Sequence, residues 1–163
     1  MRRLFLSFLG AGLLKPAPGT WGSLAALPAA WMLHAIGGPI FLALASLALF
    51  VTGTRAAAAE IANGPDHDPG WIVVDEVVGM WIALLPVSIG ATHAEASILA
   101  LWPGILTAFL MFRLFDITKP WLAGQADRRG DALGLMLDDV WAGVFAAATV
   151  LAFAFLSHGV LGA

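Results

Sequence analysis

Leu133-Gly134-Leu135-Met136-Leu137-Asp138-Asp139-Val140-Trp141-Ala142-Gly143 decides how the rest of this chain is read. Two adjacent carboxylates stand at the mouth of an apolar run, residues 140–157, that carries no charge. Two unscreened acids beside a helix of hydrocarbon character are unfavourable unless something offsets their repulsion. A divalent cation would do so. Three other stretches have the same placement at the edge of an apolar run: residues 18–23, Asp75-Glu76 and residues 116–119. The expectation is that all four converge on one metal and one phosphate.

Composition points to a membrane. Of 163 residues, 60% are apolar and only 12% charged, where soluble domains carry about 25% charge. Mean hydropathy is +0.88. The length suits one domain covering residues 1–163. The expected fold is all-α: a compact, membrane-embedded bundle of about five apolar helices joined by short loops. There is no basic tract of the kind nucleic acid requires. The absence of cysteine excludes disulfides, zinc thiolates and cysteine nucleophiles. Arg2-Arg3 followed by apolar residues 4–14 has the outline of a signal peptide, but Lys15-Pro16 stands where small residues should permit cleavage. A retained, short interfacial or re-entrant helix is expected instead.

Residues 15–23, Lys-Pro-Ala-Pro-Gly-Thr-Trp-Gly-Ser, read as a loop, because two prolines oppose a helix. Thr20 or Ser23 would then cap a helix beginning at Leu24. A Gly-rich turn entering a helix N-terminus is an anion cradle, although an ordinary proline-rich turn has the same composition. Residues 24–36 reach roughly 20 Å, less than a ~30 Å hydrocarbon core. Gly37-Gly38-Pro39 turns the chain and residues 40–54 return, making a hairpin with His34 near its tip. Asp66-His67-Asp68 lies in a turn-rich loop and reads as solvated acids rather than a metal site. Residues 71–92 form the next apolar helix, with Asp75 and Gly79 on one face. Residues 98–112 follow, with a kink expected at Trp102-Pro103-Gly104. Arg113, Asp116 and Lys119 then recur every three residues. A polar connection, residues 125–131, leads back to the opening stretch. The acid–acid–Val–…–Gly pattern at residues 75–79 and 138–143 suggests a weak internal duplication.

Charge distribution gives a topology. All eight Lys and Arg fall within residues 2–15, at Arg55, or within residues 113–129. The positive-inside rule places these regions in the cytoplasm. The acidic pairs, residues 116–119 and the Pro-Gly-Thr stretch then all meet at the cytoplasmic interface, the depth of lipid head groups. Trp21, Trp71, Trp121 and Trp141 flank that level as an aromatic belt.

Paired carboxylates without clustered histidine favour a hard cation, Mg²⁺ rather than Zn²⁺. Asp75, Glu76, Asp138 and Asp139 are the candidate metal ligands. Lys119, Arg113 and the Gly19-Thr20-Trp21-Gly22-Ser23 stretch are candidates for neutralising a phosphate. A spare carboxylate, Asp116 included, could activate water. The reaction class this predicts is metal-assisted hydrolysis of a phosphomonoester on a membrane lipid.

Four ordered motifs carry a family resemblance: Pro18-Gly19-Thr20-x-Gly22-Ser23; Asp75-Glu76-x-x-Gly79-Met80-Trp81; Phe112-Arg113-x-x-Asp116-x-x-Lys119-Pro120-Trp121; and Gly134-x-Met136-x-Asp138-Asp139-x-x-Ala142-Gly143. Together they resemble the bacterial phosphatidylglycerophosphatase A family across residues 10–143. The resemblance implies an all-helical fold. It also implies Mg²⁺-dependent removal of the terminal phosphate from an anionic phospholipid, phosphatidylglycerophosphate, at the cytoplasmic face of a bacterial inner membrane. This chain has Asp131-Ala132 where the family usually has paired glycines. Two other classes stay open: a small transporter or channel using the interfacial acids, and another Mg²⁺-dependent head-group enzyme such as a CDP-alcohol phosphotransferase, whose spaced Asp pattern is not found here.

Overall fold

The computed structural model describes residues 1–63 and 69–157, so the Asp66-His67-Asp68 loop lies outside the described residues. The described chain is all-helical, in the order α1 (Arg2–Leu6), α2 (Pro18–Ile61), α3 (Val74–His93), α4 (Trp102–Thr118), α5 (Leu122–Asp127) and α6 (Ala132–Phe155). Four segments are long and apolar enough to cross a membrane: Pro18–Ile61, Val74–His93, Ile98–Thr118 and Ala132–Phe155.

Helix α2 is two helices meeting at Gly37 and Gly38, both outside helical backbone angles. Gly38 has φ 64°, a left-handed angle that glycine takes without a Cβ penalty. The arms run in opposite directions. Along the first, Ser23 meets Glu76, the Trp81 indole N–H donates to the Ala26 carbonyl, and His34 meets Ser88. That arm is parallel to α3. On the second, Gly53 packs beside Val74 at the start of α3, so the chain has come back. The expected hairpin is present, and it supplies two of the five apolar helices. His34, three residues before Gly37, is partly exposed near the tip. Its Nδ1 lies 2.7 Å from Ser88 Oγ, tying the first arm to α3.

Helix α3 is the central element. Val77, Met80, Ala83 and Leu84 join Phe112 of α4 and Ala142 and Ala146 of α6 in one buried cluster. Val74 and Val78 join Leu6, Ala57 and Met136 in a second. The outward faces carry exposed Trp31, Ile36, Ile40, Leu44, Leu106, Leu110 and Leu151. Such continuous apolar cover suits lipid rather than water.

Several boundaries differ from the sequence reading. Pro18 is the first residue of α2, where its missing N–H is no loss, so the supposed loop over residues 18–23 is already helix. Pro103 likewise begins α4 after a tight turn at Ile98–Leu101, and kinks nothing. The polar connection contains the short helix α5. The N-terminal helix ends at Leu6. Phe8 and Leu9 then take left-handed angles, while the Leu6 carbonyl accepts the Val73 N–H at 2.9 Å.

Helix α6 begins at Ala132, well before Val140, so Asp138 and Asp139 lie inside it and not at its mouth. Asp131 makes this early start possible. Its carboxylate accepts the Gly134 N–H at 2.7 Å as an N-cap, and Arg129 bridges it at 3.0 Å. The Arg129 hydrogen bond and the Gly134 N–H hold the Asp131 carboxyl below its ordinary range. A depressed folded value means stability that is present above the unfolded value and lost as pH falls through the folded one. Asp131→Ala should therefore lower the melting temperature at pH 7, with the gap to wild type closing below about pH 4. Melting curves at the two pH values test this; a gap that pH does not change would refute the capping role.

Candidate active site

One end of the bundle gathers the charged residues. The first turn of α3 supplies Asp75 and Glu76, and the last turns of α4 supply Arg113 and Asp116. Lys119 ends α4 in a left-handed conformation, φ 45°. Helix α6 supplies Asp138 and Asp139 from its second turn. Asp75, Asp138 and Asp139 are buried, at 6%, 6% and 3% exposure. The five carboxylates Asp75, Glu76, Asp116, Asp138 and Asp139 lie within electrostatic reach of one another.

Two glycines allow the acid pairs to meet. A Cβ on Gly79 would stand 2.5 Å from the Asp139 carbonyl oxygen and 2.5 Å from the Phe112 ring. A Cβ on Gly143 would collide with the Gly79 carbonyl. Helices α3 and α6 therefore cross backbone to backbone, one turn beyond each acid pair. The two pairs also share a local geometry. Asp75 Oδ1 accepts the Glu76 N–H and Asp138 Oδ1 accepts the Asp139 N–H, each at 2.9 Å.

Two cations answer the acids. Arg113 bridges Glu76 and Asp116, the latter at 2.8 Å, and reaches Ser23 Oγ at 3.3 Å. Lys119 bridges Asp138 at 2.7 Å and also pairs with Asp127 at the end of α5. Burial works to lower the Lys119 ammonium, but its bonds to Asp127 and Asp138 outweigh that and hold it above its ordinary value. Six carboxylates thus face two cations, four formal negative charges in excess. Asp139 Oδ1 is buried without a hydrogen-bond partner, an arrangement that costs free energy unless something else satisfies it.

Among the described residues, no three acidic or histidine side chains stand in a finished ion-binding geometry. Arg113 stands between Glu76 and Asp116, and Lys119 between Asp127 and Asp138. The chemistry of the donors nevertheless fits a hard divalent cation: oxygen ligands only, excess negative charge, and an orphaned carboxylate oxygen.

Residues 19–23, the expected phosphate cradle, stand beside Glu76. Gly19 lies against the Glu76 carboxylate, which a Cβ there would strike. Ser23 is buried, with Oγ 2.8 Å from Glu76 Oε2 and 2.9 Å from the Gly19 carbonyl. Gly22 packs on Val73, where a Cβ would stand 2.7 Å from the valine. The positive end of α2 thus receives the protein's own Glu76. Thr20 is half-buried on the same turn. Asp127 was missed by sequence reasoning, since nothing in a polar connection marks one acid as the partner of a lysine eight residues earlier.

Trp21 and Trp121 are exposed at this end, and Arg3 lies 5.4 Å over the Trp71 ring. An apolar cavity of about 660 Å³, lined by Pro86, Val87, His93, Leu101 and Phe153, opens at the opposite end, far from the acids. Between the ends, His34 is the one ionisable side chain among the described residues of the spans. The acids form a cluster at one mouth and do not line a path through the bundle.

An all-helical membrane bundle with an acidic, lysine- and arginine-edged mouth belongs to a recognisable class: membrane enzymes acting on a phosphorylated head group. The Phosphatidylglycerophosphatase A family model matches residues 4–154. The chain belongs to the phosphatidylglycerophosphatase A family. It is 39% identical over 149 residues to Phosphatidylglycerophosphatase A of Haemophilus influenzae, covering 90% of this chain and 84% of that protein. The Escherichia coli protein of the same name is 31% identical over 150 residues, 91% of this chain and 79% of its own. A Bacteroides thetaiotaomicron protein, provisionally named a phosphatidylinositol-3-phosphatase, is 34% identical over 139 residues, 83% of this chain and 82% of its own. No solved structure matches the chain.

Proposed function

We propose that this chain is a Mg²⁺-dependent phosphatase of the bacterial inner membrane. It hydrolyses the terminal phosphomonoester of phosphatidylglycerophosphate, releasing phosphatidylglycerol and phosphate at the cytoplasmic face. The observation that carries this reading is the meeting of two buried acid pairs, from α3 and α6, at the Gly79–Gly143 crossing beside Lys119. Family membership and the names of the Haemophilus and Escherichia relatives support the substrate.

Asp75, Glu76, Asp138 and Asp139 would hold the cation. Bound there, it would polarise the phosphate and neutralise charge on its oxygens while the bond from phosphorus to the glycerol oxygen breaks and that oxygen leaves as the alcohol. The chain's own residues do the rest. Lys119, partly exposed at the mouth, contacts phosphate oxygens. Arg113 balances Glu76 and Asp116 and fixes the Glu76 carboxylate with Ser23. A carboxylate of the cluster accepts the proton of the attacking water. The apolar flanks keep the lipid's chains in the bilayer while its head group reaches the mouth.

Phosphate release from phosphatidylglycerophosphate by purified protein in detergent or vesicles tests the reading. Turnover should vanish with excess chelator and return with Mg²⁺, and Ca²⁺ should substitute poorly because it relaxes octahedral geometry. Full turnover in chelator would exclude the carboxylate–cation mechanism. Release of inositol-ring phosphate in preference would move the substrate toward the Bacteroides name.

Orientation has its own test. The chain lacks cysteine, so Gln125→Cys and Asn63→Cys should react with a membrane-impermeant thiol reagent only from the cytoplasmic side, and Thr92→Cys only from the outside. Labelling of Gln125→Cys from outside would put the site on the wrong face for this substrate.

A further inference from the structure

Lys119 is held from two sides. Asp138, buried, grips it from within, and Asp127, exposed, grips it from the solvent side. An ammonium has three donors, so two are committed and one remains for a ligand at the mouth. We propose that Asp127 is a positioning residue: acting through Lys119, it sets the ammonium in the orientation that meets the substrate phosphate. This rests on the reading of Lys119 as a phosphate contact.

The local backbone supports it. Lys119 and Trp121, on either side of Pro120, both take left-handed angles, φ 45° and 44°. Such angles are unfavourable for residues other than glycine and persist where the surroundings enforce them. Their result is to fold α5 back over the lysine. Gly124 completes the fold, since a Cβ there would stand 2.5 Å from the Lys119 carbonyl oxygen. The last residue of α5 is then Asp127. An ion pair this exposed adds little to stability, less than the two left-handed residues cost. Burial of Ala123, Gly124 and Ala126 holds α5 in place, and what the turn adds at the mouth is a fixed position for a long, flexible lysine.

The test uses the full-length protein in vesicles with phosphatidylglycerophosphate. Wild type is compared with Asp127→Asn, Asp127→Glu, Lys119→Met and the double variant Asp127→Asn/Lys119→Met. Read out are kcat, KM, inhibition by inorganic phosphate and the melting temperature. Asp127→Asn should raise KM and weaken phosphate inhibition about tenfold, the scale of a charge-assisted contact, with a smaller change in kcat. Asp127→Glu should recover part of the loss. In the Lys119→Met background Asp127→Asn should add nothing further, as expected of two residues acting as one unit. A damaged Lys119→Met beside an undamaged Asp127→Asn would overturn the positioning role and leave the phosphate contact standing. So would additive losses, or a loss that follows the melting temperature with KM unchanged. Normal KM and phosphate inhibition in Lys119→Met would remove the phosphate contact itself, and the role of Asp127 with it.

Discussion

Asp139→Asn should fold normally and lose turnover by two to three orders of magnitude, roughly the scale of a lost charge-stabilising group at a reaction centre. The substitution keeps shape and removes one charge. Asp139 is 3% exposed and its Oδ1 has no partner, so no native hydrogen bond at that atom is broken. The cluster carries four formal negative charges beyond its two cations, and one fewer relieves repulsion. The melting temperature in chelator should therefore hold or rise while activity collapses, as expected where function is bought with local strain. Asp75→Asn and Asp138→Asn should follow in activity. Asp138→Asn differs in one respect: it also releases Lys119, so it should raise KM as well as lower kcat. Excess Mg²⁺ should partly rescue a variant that has lost a ligand and not one that has lost the proton acceptor. Near-wild-type specific activity in both Asp138→Asn and Asp139→Asn, with poor folding yield, would make the acids structural and remove the site.

Gly143→Ala and Gly79→Ala should be among the most damaging single changes outside the charged cluster. The added methyl meets backbone in both cases, the Gly79 carbonyl in one and the Asp139 carbonyl in the other. Backbone cannot rotate away as a side chain can. Overpacking of this kind costs about 1–3 kcal/mol, occasionally more, and here the upper end is expected because α3 and α6 must separate. Separation also parts Asp75-Glu76 from Asp138-Asp139, so activity per folded molecule should fall with stability. Gly90→Ala is the control. It lies on α3 with its nearest contact, Leu101 Cδ1, at an ordinary 3.6 Å, and alanine is the better helix former. It should be neutral or slightly stabilising. Equal thermal stability of Gly143→Ala and Gly90→Ala would mean that the crossing is looser than its geometry.

Much of this was legible in the sequence because membrane helices advertise themselves. The apolar runs, the Gly37-Gly38 turn and the gathering of acids at one end all follow from hydropathy, turn chemistry and the distribution of Lys and Arg. Helix starts were less legible. Pro18 and Pro103 read as breakers, yet proline at a first turn favours a helix. Residues 19–23 have a partner that the sequence did not show. A glycine-rich helix start has the same composition whether or not a carboxylate of the same protein lies against it, as Glu76 does through Ser23. Glu76 lies 53 residues from Ser23, and no local pattern links them. Asp127 escaped for the same reason, its role depending on a turn whose left-handed residues are not glycines.

The wiring of the salt bridges also sets a timetable for the chain's own making. Helices leave the ribosome in sequence, and the α2 hairpin and α3 emerge before α4. During that interval Glu76 has Ser23 beside it but not yet Arg113. Asp75 and Glu76, in the first turn of α3, are thus made before the arginine that pairs with Glu76. Arrival of α4 brings the arginine. Arrival of α6, the last described helix, brings both remaining aspartates and seats Lys119. A nascent chain halted before α6 carries the α3 acids, Arg113 and Lys119, but neither of the α6 aspartates nor the glycine that lets them approach α3.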